Sequence, residues 1–354
     1  MKKFHLFAGL QVLLFIALAG CSKEQSSQAK EQTSTWSAPS TVPLDPFVQN
    51  KKLGRGVNLG NMLEAPAEGD WGFYVEKRFF KLIKDAGFQS VRIPIRWSTH
   101  AGAASPFTID KTYFARIDEV IGQALDQGLA VVINIHHYDE LYTDPAAHKG
   151  RLLALWQQIS TRYKGYPDDL FFEILNEPNG NMTAAIWNAY LVEAIQTIRA
   201  SNPYRILIIG PPDWNNYASL DKLQLPDSER GIIVTFHYYN PFNFTHQGAD
   251  WVAGSTSWLG TTWTASVSEI NALKKELDAA SAWGKAHNRP MYMGEFGSYS
   301  KADATSRALW TMNVARQAEN RDMSWAYWEF CAGFGVYNKD KNEWNVALQK
   351  ALLP

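Results

Sequence analysis

Eight short apolar runs punctuate the chain, at Arg55–Asn61, Ser90–Arg96, Ala130–His137, Leu170–Glu177, Arg205–Gly210, Ile232–Tyr239, Met291–Phe296 and Ser324–Phe330. Runs of this length that are apolar on both faces read as strands of a parallel sheet covered on either side. Most are followed by a stretch of helical period. From Tyr113 to Leu125, Phe114, Ile117, Ile121 and Leu125 share one face, with Asp110 placed as an N-cap and Gly128 as a stop. Leu152 to Tyr163 repeats the stripe through Leu155, Trp156 and Ile159. Strand–helix alternation carried through eight strands predicts an α/β chain closed into a single (β/α)8 TIM barrel. An open doubly wound sheet would want a glycine-rich phosphate turn after an early strand, and the sequence has none. The 354 residues accommodate one such barrel with a core large enough to need neither disulfide nor metal.

The first 44 residues follow other rules. Lys2 and Lys3 precede an apolar run from Leu10 to Ala19, too short for a membrane span and closed by small residues, which reads as a signal peptide over 1–20. Its end, Leu18-Ala19-Gly20-Cys21, resembles the bacterial lipobox, which implies acylation of Cys21 and a membrane partner reached through that lipid. Residues 21–44 are mostly Ser, Gln, Lys, Glu and Thr, a composition that predicts a flexible tether. The catalytic body is expected over 45–354, exported on a lipoprotein of the outer membrane or cell surface, and monomeric. Cys331 stands alone in that body, so no disulfide forms within it. A formal net charge of -1 excludes a nucleic-acid partner, which requires a basic field.

The polar residues at the C-terminal ends of the runs carry the chemistry, because that rim is where barrels of this type build their sites. Asn58, Asn61 and Glu64 follow the first run, and Arg92 and Arg96 lie on the second. The third ends His136-His137, the fourth Asn176-Glu177-Pro178, the sixth His237-Tyr238-Tyr239, the seventh Gly294-Glu295-Phe296 and the eighth Trp328-Glu329. Glu177 and Glu295 sit on strands nearly opposite in an eight-membered ring, and paired carboxylates flanking one bond are what glycoside hydrolysis needs. One must be protonated near neutral pH and the other ionised, so their surroundings must push the two pKa values apart. Glu173 has the parity of Glu177 and is expected to point into the barrel with a structural role; Glu329 is a rival for the site. Fourteen Trp, 15 Tyr and 18 Phe are more aromatic rings than a core easily absorbs, since each indole N–H wants a partner. The long stretch Pro241 to Trp263, with His246 and Trp251, is therefore expected to line a groove, Trp251 most of all.

Asn176-Glu177-Pro178 and Gly294-Glu295-Phe296-Gly297 resemble the signatures of glycoside hydrolase family 5, the large cellulase family of (β/α)8 barrels. The resemblance runs from Gly54-Arg55-Gly56-Val57-Asn58-Leu59-Gly60-Asn61 to Tyr327-Trp328-Glu329-Phe330 and is greatest to bacterial endo-β-1,4-glucanases of the thermophile type. It implies that Glu177 is the acid/base and Glu295 the nucleophile of a retaining mechanism on internal β-1,4 bonds of glucan, with mannan as the alternative. It further implies that Arg92 and Tyr239 support the nucleophile, Asn176 holds the sugar 2-hydroxyl, Trp328 forms the platform under the sugar, and His136 and His237 are the site histidines with His137 beside them. Either His136 or His137 faces the sugar, and Asn61, Glu64 and His246 are expected as further substrate-binding or supporting residues.

No cofactor or metal is implied. A metal-dependent hydrolase built on His136, His137, Asp139 and His237 is the first rival, but adjacent strand residues diverge and no His-x-His spacing occurs. A carbohydrate-binding protein without catalysis is the second, and the intact set of carboxylates and supporting residues argues against it.

Overall fold

The computed structural model describes residues 36–354; the expected signal peptide, Cys21 and the first part of the tether lie outside them. Eight parallel strands, β1 (Arg55–Asn58), β2 (Ser90–Ile93), β3 (Ala130–Asn134), β4 (Leu170–Glu173), β5 (Leu207–Ile209), β6 (Ile232–Tyr238), β7 (Met291–Phe296) and β8 (Ser324–Tyr327), close in chain order into a barrel. β1 completes the ring by pairing with β8 through Gly56 and Ala326. Strands β2 to β8 are buried along their whole length, as a parallel sheet enclosed by helices requires.

Helices Lys77–Ala86, Lys111–Asp126, Pro145–Tyr163, Ala184–Arg199, Val267–Ala286, Ala304–Glu319 and Val346–Leu352 form the outer layer; β5 is followed by a short turn, Pro212–Asn215, and a 3-10 turn, Tyr217–Lys222, in place of a long helix. In Lys111–Asp126 the Asp110 side chain accepts from the Tyr113 N–H as the expected N-cap. That helix turns Phe114, Ile117, Val120, Ile121 and Ala124 onto the sheet, each large side chain contributing roughly 1.5–3 kcal/mol on burial.

Most strands stop earlier than their apolar runs. β3 ends at Asn134 and β4 at Glu173, although the runs continue to His137 and Glu177. Beyond those points regular pairing gives way to single bonds: the His136 N–H still donates to the Ile95 carbonyl (2.9 Å) and the Asn176 N–H to the Ile135 carbonyl (2.9 Å), while the Ile95 N–H donates to the side chain of Asn134 at Oδ1 (3.2 Å). The rim is therefore irregular backbone on top of regular strands.

The tryptophans divide between exposed rings such as Trp71, Trp214 and Trp251 and a buried set. Trp97 in the turn after β2, Trp156, Trp187 and Trp310 on the outer helices, and Trp325 on β8 are fully buried. Each indole N–H has an acceptor: the carbonyls of Asn134, Ile174, Gly210 and Asn240, and the Glu319 carboxylate. Four of them staple the helical layer to segments at the strand ends. Part of the span expected as tether is also fixed. Trp36 packs against the Tyr166 ring (5.4 Å) and donates to Asp126 (3.0 Å), and the Ser40 N–H donates to Asp168 (3.1 Å), all at the barrel face opposite the rim. One indole in a polar stretch supplies the apolar area that docking needs, which the composition of the stretch as a whole conceals.

Candidate active site

The site is built upward from Arg92, at 0% exposure inside the barrel. All five of its N–H groups are used. Nε and Nη2 hold Glu173 in a two-pronged pair (2.6 and 2.8 Å), Nη1 donates to Asn58 Oδ1 (2.9 Å) and Glu295 Oε1 (2.8 Å), and Nη2 also reaches Asn176 Oδ1 (2.7 Å). Burial opposes the charge, but Glu173 and Glu295 outweigh it and keep the guanidinium protonated. Glu173 thus takes the inward, structural role expected of its parity. Asn58 ties this layer to the wall through the carbonyls of Gly294, Ala326 and Tyr327.

Above that layer lie the two carboxylates. Glu295, on β7, receives Arg92 on Oε1 and the Tyr239 hydroxyl on Oε2 (2.8 Å). Glu177, beyond the end of β4, has a left-handed backbone (φ 45), a conformation costly for a residue with a side chain. It is held there by Asn179 Nδ2 on its own carbonyl (2.7 Å) and by the Trp214 N–H on the carbonyl of Pro178 (3.2 Å). His237 lies between the pair: Nδ1 is 2.7 Å from Glu177 Oε1 and 3.5 Å from Glu295 Oε2. Oxygens of Glu177 and Glu295 and a nitrogen of His237 all lie within 4.8 Å of one another.

The electrostatics separate the two acids. Burial pushes the Glu177 carboxyl up to about 7, Arg92 lowering it and Glu173 raising it. Burial, with Glu177 beside it, leaves Glu295 above the ordinary carboxylate value, while Arg92 and the Tyr239 hydroxyl hold it down against that. His237 is itself pushed by burial down to about 4, so near neutral pH it is an uncharged imidazole and Arg92 is the cation facing Glu295. With the Asn215 amide donating to Nε2 (3.4 Å), the imidazole hydrogen is on Nδ1 and points at Glu177. The Glu177 side chain is 27% exposed to the cleft against 6% for Glu295. Closure of the cleft by a sugar would therefore remove water mainly from Glu177 and raise its pKa further.

The remaining predicted residues gather on the same rim with unequal roles. Asn176 has its Oδ1 on Arg92 and its carbonyl on the Tyr142 hydroxyl, leaving the amide hydrogens for a ligand. His136 lies parallel to Trp328 (ring centroids 5.8 Å, 6° between planes) with Nδ1 on the Asn134 amide (3.1 Å), and its hydrogen is therefore on Nε2. Burial keeps it far below the ordinary histidine pKa and so neutral. His137 turns away, edge-on to Trp71 (5.9 Å), as alternation along a strand requires. Gly60 and Gly297 make room for the platform: a Cβ on Gly60 would stand 2.9 Å from the Trp328 ring, and one on Gly297 2.0 Å from the Trp328 carbonyl.

Three further rim residues take supporting positions. Glu64, expected as a substrate-binding or supporting residue, is fully buried and takes the Asn61 and Met62 N–H groups of its own loop, shaping the rim next to Asn61. Glu329 accepts from the N–H groups of Cys331, Ala332 and Phe334, which fixes the segment after Trp328. His246 is 8% exposed, stacks on Phe242 (4.0 Å) and meets Tyr239 edge-on (5.0 Å), so it buttresses the tyrosine. Trp251 is 58% exposed and stands edge-on to Tyr299 (4.9 Å), outside the core. Sequence reasoning missed Tyr142, Asn134 and Asn215, which orient Asn176, His136 and His237. Asn134, two residues before His136 and so on the same side, was findable by parity; Asn215, on a left-handed turn after β5, gave no signal.

A closed parallel barrel bearing a carboxylate pair on its C-terminal rim, one acid on the fourth strand and one on the seventh, is the architecture of a two-carboxylate glycosidase. The family model "Cellulase (glycosyl hydrolase family 5)" matches residues 51–333, and the chain belongs to that family. It is 35% identical over 326 residues to Endoglucanase H of Acetivibrio thermocellus, covering 90% of this chain and 35% of that protein; it thus spans about a third of that relative's length. Crystal structures of Thermotoga maritima Cel5A in complex with mannotriose superpose with a TM-score of 0.86 at 55% identity, over 87% of this chain and 100% of that one. A hyperthermophilic endo-β-1,4-glucanase in complex with substrate gives 0.86 at 46% identity, over 88% and 99%.

Proposed function

We propose that the protein is an endo-acting, retaining glycosidase that cleaves internal β-1,4 bonds of glucan, with Glu295 as nucleophile and Glu177 as acid/base. The observation that carries the mechanism is the separation of the two carboxylates. An approach within 4.8 Å suits the roughly 5 Å of retaining pairs and leaves no room for the water that inverting enzymes hold across about 6.5–9.5 Å. In the first step a Glu295 oxygen bonds to the anomeric carbon as the glycosidic bond breaks, and the Glu177 proton passes to the leaving oxygen. In the second, Glu177 takes a proton from water, whose oxygen displaces Glu295. Arg92 and Tyr239 keep Glu295 ionised for the attack, while the Glu177 pKa near 7 keeps a proton available at neutral pH. Asn176 offers its amide hydrogens to the sugar 2-hydroxyl and Trp328 its face to the ring.

Glucan as substrate is supported by relatives and neighbours named as endoglucanases, which favour it over the mannanase alternative. Proton NMR of the first-formed reducing ends tests the mechanism: β-anomer is expected, and initial release of α-anomer would overturn it. A fast drop in viscosity of soluble cellulose per reducing end formed is expected of endo action. The sequence supports export as a lipoprotein anchored at Cys21, with the barrel monomeric. Incorporation of labelled palmitate, lost in Cys21→Ala, and light scattering of the soluble body test these two points.

A further inference from the structure

Tyr239 lies one residue beyond the end of β6, past the last ladder pair, Tyr238 with Phe296. The barrel's own hydrogen bonds therefore do not hold it, yet its hydroxyl meets Glu295 at 2.8 Å. Alternation turns residue 239 inward and 238 and 240 outward, and both outward side chains donate to one carboxylate. Tyr238 Oη reaches Glu276 Oε2 (2.7 Å) and Asn240 Nδ2 reaches Glu276 Oε1 (3.2 Å). Glu276 stands on the helix Val267–Ala286, outside the barrel. We propose that Glu276 is a positioning residue for the reaction: from the outer layer it clamps the two neighbours of Tyr239 and so holds the tyrosine on the nucleophile.

The Tyr239 ring packs on His246 (5.0 Å) and Phe334 (6.3 Å), which leaves the outward side of the segment to other contacts. A cavity of about 430 Å³ lies behind the segment, bounded by Tyr238, Asn240, Trp263, Glu276 and Trp310, so a released strand end has room to relax outward. The other ties, Thr245 Oγ1 to the Tyr239 carbonyl (2.6 Å) and Trp310 Nε1 to the Asn240 carbonyl (2.9 Å), fix backbone positions without setting how residues 238 and 240 are turned. Burial keeps the Tyr238 phenol neutral and donating. The groups facing Glu295 are Arg92 from β2, Glu177 beyond β4, His237 and Tyr239 from β6 and Tyr292 from β7; those facing Glu276 are Tyr238, Asn240 and Tyr217. Of the Glu295 partners only Tyr239 depends on the clamp.

The inference rests on Glu295 being the nucleophile, and its test compares Glu276→Ala, Glu276→Gln and Tyr239→Phe, alone and combined. Tyr239→Phe removes a bond to the ionised carboxylate and raises the acid limb of the kcat/KM profile. Glu276→Ala is expected to raise the same limb by roughly half to one pH unit, the size of one weakened hydrogen bond. It should lower kcat more than it changes KM and add nothing in the Tyr239→Phe background. Glu276→Gln, able to accept from one neighbour only, should fall between, and Tyr238→Phe serves if Glu276→Ala does not fold. An unmoved acid limb in Glu276→Ala, or full additivity with Tyr239→Phe, overturns the clamp. If the wild type hydrolyses no glycoside, the assigned activity fails. A crystal structure of Glu276→Ala still decides the clamp, which is overturned if Tyr239 remains in contact with Glu295.

Discussion

Two pairs of glutamates share the rim and look alike by pKa, but their oxygens touch different things. Burial pushes Glu64 up to about 8 and Glu329 up to about 7, as it pushes Glu177 up to about 7. Glu64 and Glu329 spend their oxygens on backbone N–H groups of their own loops and are sealed from solvent. Glu177 and Glu295 spend theirs on side chains of Arg92, His237 and Tyr239, contributed by other strands, and Glu177 opens to the cleft. A raised pKa therefore does not identify a catalytic acid. What separates the pairs is whether the carboxyl fixes its own loop or faces a convergent, open set of partners.

The largest effect that would sharpen this contrast is at Glu295. Glu295→Gly should lower kcat by on the order of 10⁴–10⁶, and added azide should restore cleavage with an α-glycosyl azide product; no rescue would remove Glu295 from the nucleophile's role. Next, Glu177→Gln should lower turnover of polysaccharide by about 10²–10⁴ while aryl glycosides with good leaving groups suffer far less. In the wild type the alkaline limb should fall near pH 7, where Glu177 loses its proton, and this limb should vanish in the variant. Equal losses on both substrates would break the assignment.

The loop-fixing pair should respond in stability. Glu329→Gln puts an amide where three N–H groups need acceptors, a loss of roughly 1–3 kcal/mol measurable by denaturant unfolding; a neutral result would mean the carboxyl does not hold its loop. The smallest effect is on the pH dependence of melting. A carboxyl whose folded pKa is raised binds more protons in the folded state, so its contribution is present below about 4.5 and is lost as pH rises through the folded value. Melting temperature should decline between about pH 4.5 and 8, and Glu64→Gln should make that decline shallower. An identical slope in both proteins would show that Glu64 does not titrate in that range.

Much of the architecture was legible because strands buried on both faces leave unbroken apolar runs. All eight runs became strands, and Asp110 capped its helix as read. The strand ends were less legible, since rim residues such as Ile135 and Leu175 are as apolar as those in the ladder. Which tryptophans are buried was not legible either: composition counts indoles but does not reveal carbonyls at the strand ends waiting to accept their N–H groups.

The sequence by itself determined the barrel and the order of polar groups around its rim, Glu177 and Glu295 among them, because each of these is written in local pattern and spacing. Tertiary structure alone decided that the carboxylates stand within 4.8 Å, that Arg92 serves Glu173 and Glu295 at once, and that Glu276 reaches, from outside the barrel, the side chains of Tyr238 and Asn240 on either side of Tyr239. Those facts depend on distances between residues far apart in the chain, and no local pattern encodes a distance that exists only once the barrel has closed.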